Sequence, residues 1–76
     1  MQDAQNYASL PDKTGLTPTQ IEVAFFVVRG MDNREIGKRM FIEPRSVAFH
    51  VVKLMRFFKV NTRYRLICEL YEKGWR

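Results

Sequence analysis

The architecture follows from the stretch DNREIGKRMFIEPRSVAFHVVKLMRFFK, residues 32–59. Asp32 followed three residues later by Glu35 is a capping box with Asp in the place of Ser or Thr, and it opens a helix. Ile36 and Met40 form a short apolar stripe there, while Arg34, Lys38 and Arg39 lie off it. Phe41, Ile42 and Glu43 make a connector of three residues. Pro44 then restarts the chain as the first residue of a longer helix, a place where its missing N–H costs nothing. Glu43 stands just outside, near the positive end of the helix dipole. This helix is expected to run over 44–59. At 100° per residue, Val47, Val51, Leu54 and Phe58 fall within about 60° of one another and form the inner seam. Opposite them lie Arg45, Phe49, Val52 and Arg56, with Lys53 and Lys59 flanking.

Outward from this pair, Thr17 is placed to cap a first helix, and Pro18 suits its first turn. Ile21, Ala24, Phe25 and Val28 recur at helical spacing, and Gly30 supplies a left-handed residue that ends the helix. Downstream, Asn61 or Thr62 caps a fourth helix whose apolar positions are Leu66, Ile67, Leu70 and Tyr71, and Gly74 stops it. Four helices and no convincing strand make the class all-α. Residues 1–15 are polar and aperiodic, with Pro11, Asp12 and Gly15, and read as a flexible arm before one domain over 16–76.

Composition narrows the function. The chain has 76 residues, enough for one domain with a thin core. Its longest apolar run, 23–28, is far short of the ~20 residues of a membrane span, so no membrane contact is expected. The lone Cys68 excludes an internal disulfide, suits a reducing cytosol, and falls at an apolar position that predicts a buried small side chain. The net charge is +5, yet residues 34–65 carry nine cations against two acids, Glu35 and Glu43, so the remainder is slightly acidic. Such a segment is expected to meet a polyanion, nucleic acid before membrane. No nucleophile–base pair, carboxylate dyad, Gly-rich phosphate loop or metal-ligand spacing is present, so neither catalysis nor a cofactor is expected.

A short helix, a tight connector and a longer helix with a basic outer face form a helix-turn-helix. The major groove of B-DNA, about 12 Å wide, accepts one α-helix whose N-terminal residues reach the base edges. At this point the residues resemble a known family. Leu16-Thr17-Pro18, Glu22-Val23, Gly30, Asn33-Arg34-Glu35-Ile36, Ile42, Ser46-Val47, His50, Leu54, Val60 and Arg63 follow the pattern of LuxR/GerE/FixJ-type C-terminal DNA-binding domains. The match runs from Leu16 to about Gly74. It implies a four-helix bundle, with a three-helix core like that of winged helices but without the wing, plus a C-terminal dimerisation helix. It further implies a bacterial transcription regulator that binds promoter DNA as a homodimer, in the cytoplasm on the nucleoid. The dimer contact would use the exposed members of Leu66, Ile67, Leu70 and Tyr71, with Trp75. Another transcription factor or RNA polymerase would be a further partner. Met1 favours a stand-alone protein, similar to GerE, over a C-terminal piece of a longer one.

The chain departs from the family pattern where it bears on DNA. Thr19-Gln20 replaces a frequent Arg-Glu, and Phe57-Phe58 a usual Lys-Leu. The base-reading positions, commonly Lys, Arg or Asn, are Ala48, Phe49 and Val52. The DNA-facing set is therefore Asn33, Arg34, Lys38, Arg45, Ser46, Ala48, Phe49, Val52, Lys53, Arg56 and Lys59, with polar readout left to Arg45, Lys53 and Arg56. Phe49 has three open placements: against a thymine methyl, in a protein contact, or inside if the helix is rotated. His50 is expected to be packed and hydrogen-bonded rather than catalytic. Asn33 is either a phosphate contact or part of its helix start, and one of Arg63 and Arg65 is a candidate structural partner for Glu22. Ala48, Phe49 and Val52 keep an alternative open: a protein-interaction module of the same fold that pairs with and modulates another transcription factor.

Overall fold

The computed structural model describes residues 15–75. Its elements are α1 (Pro18–Val27), α2 (Asn33–Met40), α3 (Pro44–Phe57) and α4 (Arg63–Glu72), with no strand among the described residues. The fold is an all-α helix-turn-helix bundle. The arm expected over 1–15 lies, apart from Gly15, outside the described residues.

Local chemistry accounts for each boundary. In α1 the Thr17 hydroxyl accepts from the Gln20 N–H at 3.1 Å, and the Gln20 side chain accepts from the Thr17 N–H at 3.0 Å. This capping box uses the very residue that departs from the family's usual pattern. Asp32 and Glu35 form the expected reciprocal pair at the start of α2, both bonds 2.9 Å. Thr62, not Asn61, caps α4 by accepting from the Arg65 N–H at 3.1 Å. α3 has no side-chain cap and starts on Pro44 alone.

All four helices end in the same way. A residue in the left-handed region breaks the spiral: Gly30 (φ 83°), Phe41 (φ 60°), Lys59 (φ 58°) and Gly74 (φ 92°). The next N–H turns back to a carbonyl five residues earlier, Met31 to Phe26, Ile42 to Gly37, Val60 to Met55 and Trp75 to Leu70, at 2.9–3.3 Å. These are Schellman closures, which satisfy carbonyls that the helix end leaves open. Two of them use glycine and two do not. Lys59 thus lies beyond α3, which stops at Phe57 rather than at 59.

α3 packs against α1, α2 and α4 and is the spine of the bundle. Val47, Val51 and Leu54 are buried as the wheel requires, and Phe58 is half-buried against them. α1 differs from expectation. Its consecutive residues Val23, Ala24, Phe25, Phe26 and Val27 are all buried, while Ile21 and Val28 are half-buried. Five successive residues cover more than one full turn, so the middle of α1 is apolar on every side rather than along one stripe. Phe57 finds its place at the rim, edge-to-face with Phe58 at 5.0 Å between centroids and against the backbone of Gly15.

α4 corrects the expected dimer surface. Leu66, Leu70 and Trp75 are fully buried in the single chain and cannot meet a partner. A bundle this small has few side chains with which to close its core, and α4 must supply Leu66 and Leu70 to it. Trp75 follows them inside because the last Schellman closure folds the chain back over α4. Of the five residues expected at the dimer contact, Tyr71 is exposed and Ile67 is half-buried. Cys68 is half-buried rather than sealed.

Candidate nucleic-acid interface

The turn between α2 and α3 sets the geometry. Gly37 is buried in the last turn and a half of α2, and a Cβ there would sit 2.6 Å from the Ile42 carbonyl oxygen. Only glycine lets the connector pass this close, and the Ile42 N–H bonds back to the Gly37 carbonyl at 3.0 Å. The chain is thereby turned within three residues and α3 starts beside α2. An open hollow results, with Arg34 and Lys38 of α2 on one side and Glu43 and Pro44 at the head of α3 on the other. The cations of the shorter helix therefore stand next to the N-terminal end of the longer one.

The outer side of α3 is free. Arg45, Phe49, Val52, Lys53 and Arg56 are exposed, Phe49 by 58% and Val52 by 41%. Of the three placements open to Phe49, the interior is excluded. Its ring lies edge-on to His50 at 5.8 Å, and the Lys53 ammonium sits 5.0 Å from its centroid. This is a cation–π contact at i,i+4 spacing. Ala48 and Ser46 are half-buried along the flank. Lys59 lies past the end of α3, where it shares a small depression with Arg65 at the head of α4. Among the described residues, none of Arg34, Lys38, Arg45, Lys53, Arg56 and Lys59 is in an ion pair; Lys73 with Glu69 on α4 is, at 3.5 Å.

Two expected contacts are engaged within the fold. The Asn33 Oδ1 accepts from Arg63 at 2.6 Å, and a second guanidinium nitrogen of Arg63 donates to the Met31 carbonyl at 2.8 Å. Arg63 is thus a structural partner, but of the α1–α2 loop and not of Glu22. It ties the head of α4 to the head of α2. Asn33 belongs to this tie, which takes up its carbonyl oxygen. His50 is packed as expected but not bonded, for its Nδ1 is buried without a hydrogen-bond partner among the described residues.

Two exposed aromatic side chains lie outside the expected set. Phe41, at the tip of the turn, is 93% exposed, and Tyr64 on α4 is 73% exposed. Tyr64 was accessible to reasoning, since 64, 67, 68 and 71 share one helix face by spacing alone. Phe41 gave no signal, because its exposure follows from the left-handed conformation of the turn. Other cations are held against aromatic faces. Arg29 stacks on Phe25 at 3.5 Å, and Arg39 stands 5.7 Å from the Phe26 centroid. Among the described residues, no group of acidic, His and Cys side chains could hold a metal ion, and no helix is long and apolar enough to cross a membrane.

Known proteins share this sequence pattern. The model of the family "Bacterial regulatory proteins, luxR family" matches residues 14–70. Over 59 residues, 78% of the chain, it is 34% identical to an HTH-type transcriptional regulator of Mycobacterium tuberculosis, of which it covers 7%. It is 32% identical over 60 residues to the transcriptional regulatory protein DegU of Brevibacillus brevis, covering 79% of this chain and 25% of DegU. The HTH-type transcriptional regulator AlkS of Alcanivorax borkumensis is 34% identical over 59 residues, again 7% of that protein. The chain therefore spans a small part of the length of these relatives. No solved structure matches it significantly.

Proposed function

The chain belongs to the luxR family of bacterial regulatory proteins, and from that premise we propose that it is a transcription regulator which binds promoter DNA as a homodimer with α3 in the major groove. The observation that carries this reading is the unpaired cation set around the free side of α3. Arg45, Lys53 and Arg56 line it, Arg34 and Lys38 stand beside its head, and Lys59 lies past its tail. Cations in this arrangement hold phosphates on both walls of the groove, and phosphate contacts set the register of the helix on the duplex. Each such contact releases counterions, so affinity is expected to fall steeply with salt.

A salt titration of duplex binding tests the proposal. Neutralising Lys53 or Arg56 to Gln makes the log–log slope shallower by about one for each phosphate no longer neutralised. Failure to bind any duplex at about 50 mM salt sinks the direct DNA-binding reading.

A second reading keeps the fold and changes the partner, making the chain an interaction module that pairs with another transcription factor. Exposed Tyr64 and Tyr71 on α4 favour it, since tyrosines are common anchors of protein contacts. The same two residues support the homodimer, and we place that contact on Tyr64, Ile67 and Tyr71.

A further inference from the structure

We propose that Phe49 and Val52 read the C5-methyl groups of thymine in the major groove, so that the chain selects its site by methyl contact more than by hydrogen bonds at the centre of α3. The inference rests on the DNA-binding reading above and names what that site recognises.

Phe49 and Val52 are the central outward residues of α3, with half-buried Ala48 on the flank beside them, and none of the three has a side-chain donor or acceptor. Phe49 and Val52 lie exposed, three residues apart and so on the same face, with Arg45 toward the head of the helix and Arg56 toward its tail. An apolar centre rimmed by cations suits a surface whose own centre is apolar and whose walls are anionic. The thymine methyl is the one apolar group on the floor of the major groove, and the phosphates are its walls. Every base pair presents donors and acceptors there that an apolar ring leaves without partners, but only a pair with thymine adds a methyl for the ring to bury. The ring therefore favours a T·A pair over a G·C pair by the worth of that methyl.

Phe49 is also poised for this use. His50 meets its edge and the Lys53 ammonium stands near one face, so the ring is held at the surface before any DNA arrives. A side chain already placed loses less freedom on binding. Lys53 gains a position as well, since its ammonium is held over the ring at 5.0 Å from the centroid.

The test uses the full chain and its preferred duplex, taken by selection from random sequence. Each thymine is replaced in turn by deoxyuridine, which removes only the methyl. A drop of about fourfold in affinity is expected at each thymine beneath Phe49 or Val52, the worth of one buried methyl-sized group. Substitution at flanking thymines is expected to have no effect. Phe49→Ala, at an exposed position, should weaken binding to the thymine duplex and abolish its difference from the uracil duplex. A 5-methylcytosine in place of cytosine at the same step should recover part of the affinity. Tight binding that ignores uracil at every position overturns methyl reading and leaves DNA binding standing. Absence of binding to any duplex overturns the function itself, and retained association with a partner protein through Phe49 would then assign this face to protein.

Discussion

At the scale of single residues, the turn of the helix-turn-helix depends on two backbone conditions, one met by glycine and one met against preference. Alanine at position 37 would gain about 1 kcal/mol of helix propensity over glycine. It would also set a Cβ 2.6 Å from a backbone oxygen, which no side-chain rotation relieves. Overpacking of this kind costs about 1–3 kcal/mol, so the steric effect wins. Gly37→Ala is expected to lower the melting temperature by several degrees, and unchanged stability in a urea titration would mean the turn has slack. Phe41 stands at φ 60°, a region that costs a non-glycine residue about 1–2 kcal/mol. Its side chain is nearly all in solvent and contributes little packing. Phe41→Gly is therefore expected to stabilise the chain by about 0.5–1 kcal/mol once the added freedom of the unfolded state is counted. A fall in stability would show that the ring makes contacts worth more than the strain. Neither condition was legible in the sequence. The clash at Gly37 arises between residues five apart only once the turn is formed, and a left-handed Phe or Lys carries no mark of it, whereas Gly30 and Gly74 do.

At the scale of elements, capping chemistry was legible and burial was read less well. Asp32 with Glu35, Thr17 and Pro44 announce their helices because the groups that satisfy a helix start are local in sequence. The outward residues of α3 were legible for the same reason, since a helix with one clear apolar seam declares its opposite side. α1 and α4 defeated the wheel in different ways. The middle of α1 has no polar side to oppose its apolar one, and the apolar positions of α4 do not say which of them the thin core will claim. The tie from Arg63 to Asn33 and Met31 joins residues some thirty apart, a separation at which nothing local in the sequence marks the partner, and Glu22 was suggested instead for Arg63 or Arg65. That tie leads to a prediction about α2 and α4 together. Arg63→Met keeps the stem but leaves the Asn33 and Met31 oxygens without their donor. Because the site is partly open to water, a destabilisation of about 1 kcal/mol is expected in chemical denaturation. Asp32→Ala should cost a similar amount through its cap, and Asp32→Ser should restore most of it. The two positions share the head of α2, so their effects should not add. Strict additivity of Arg63→Met with Asp32→Ala would separate the cap from the tie.

At the scale of the whole molecule, the division of α4 between core and surface determines how its assembly can be tested. Leu66, Leu70 and Trp75 hold the bundle together, so a charge placed at Leu70 would unfold the chain and say nothing of a dimer. Tyr64 and Tyr71 lie outside the core, more than half exposed, seven residues and about two turns apart on one helix face. A charge at either is compatible with the folded chain and places like charges across a two-fold contact, because an isologous interface meets each residue with its own neighbourhood. Tyr64→Asp and Tyr71→Asp are accordingly expected to give folded monomers in sedimentation, with helical content unchanged by circular dichroism. DNA binding should follow, since two half-sites held by one dimer gain from effective concentration what a single helix lacks. Affinity for a duplex with two half-sites is then expected to fall at least tenfold, and that for a single half-site to fall little beyond the charge effect. Dimers that survive both changes would move the contact off α4. Monomers of unaltered affinity for the two-half-site duplex would instead show that one α3, with its cations and its methyl-reading centre, suffices to hold the site.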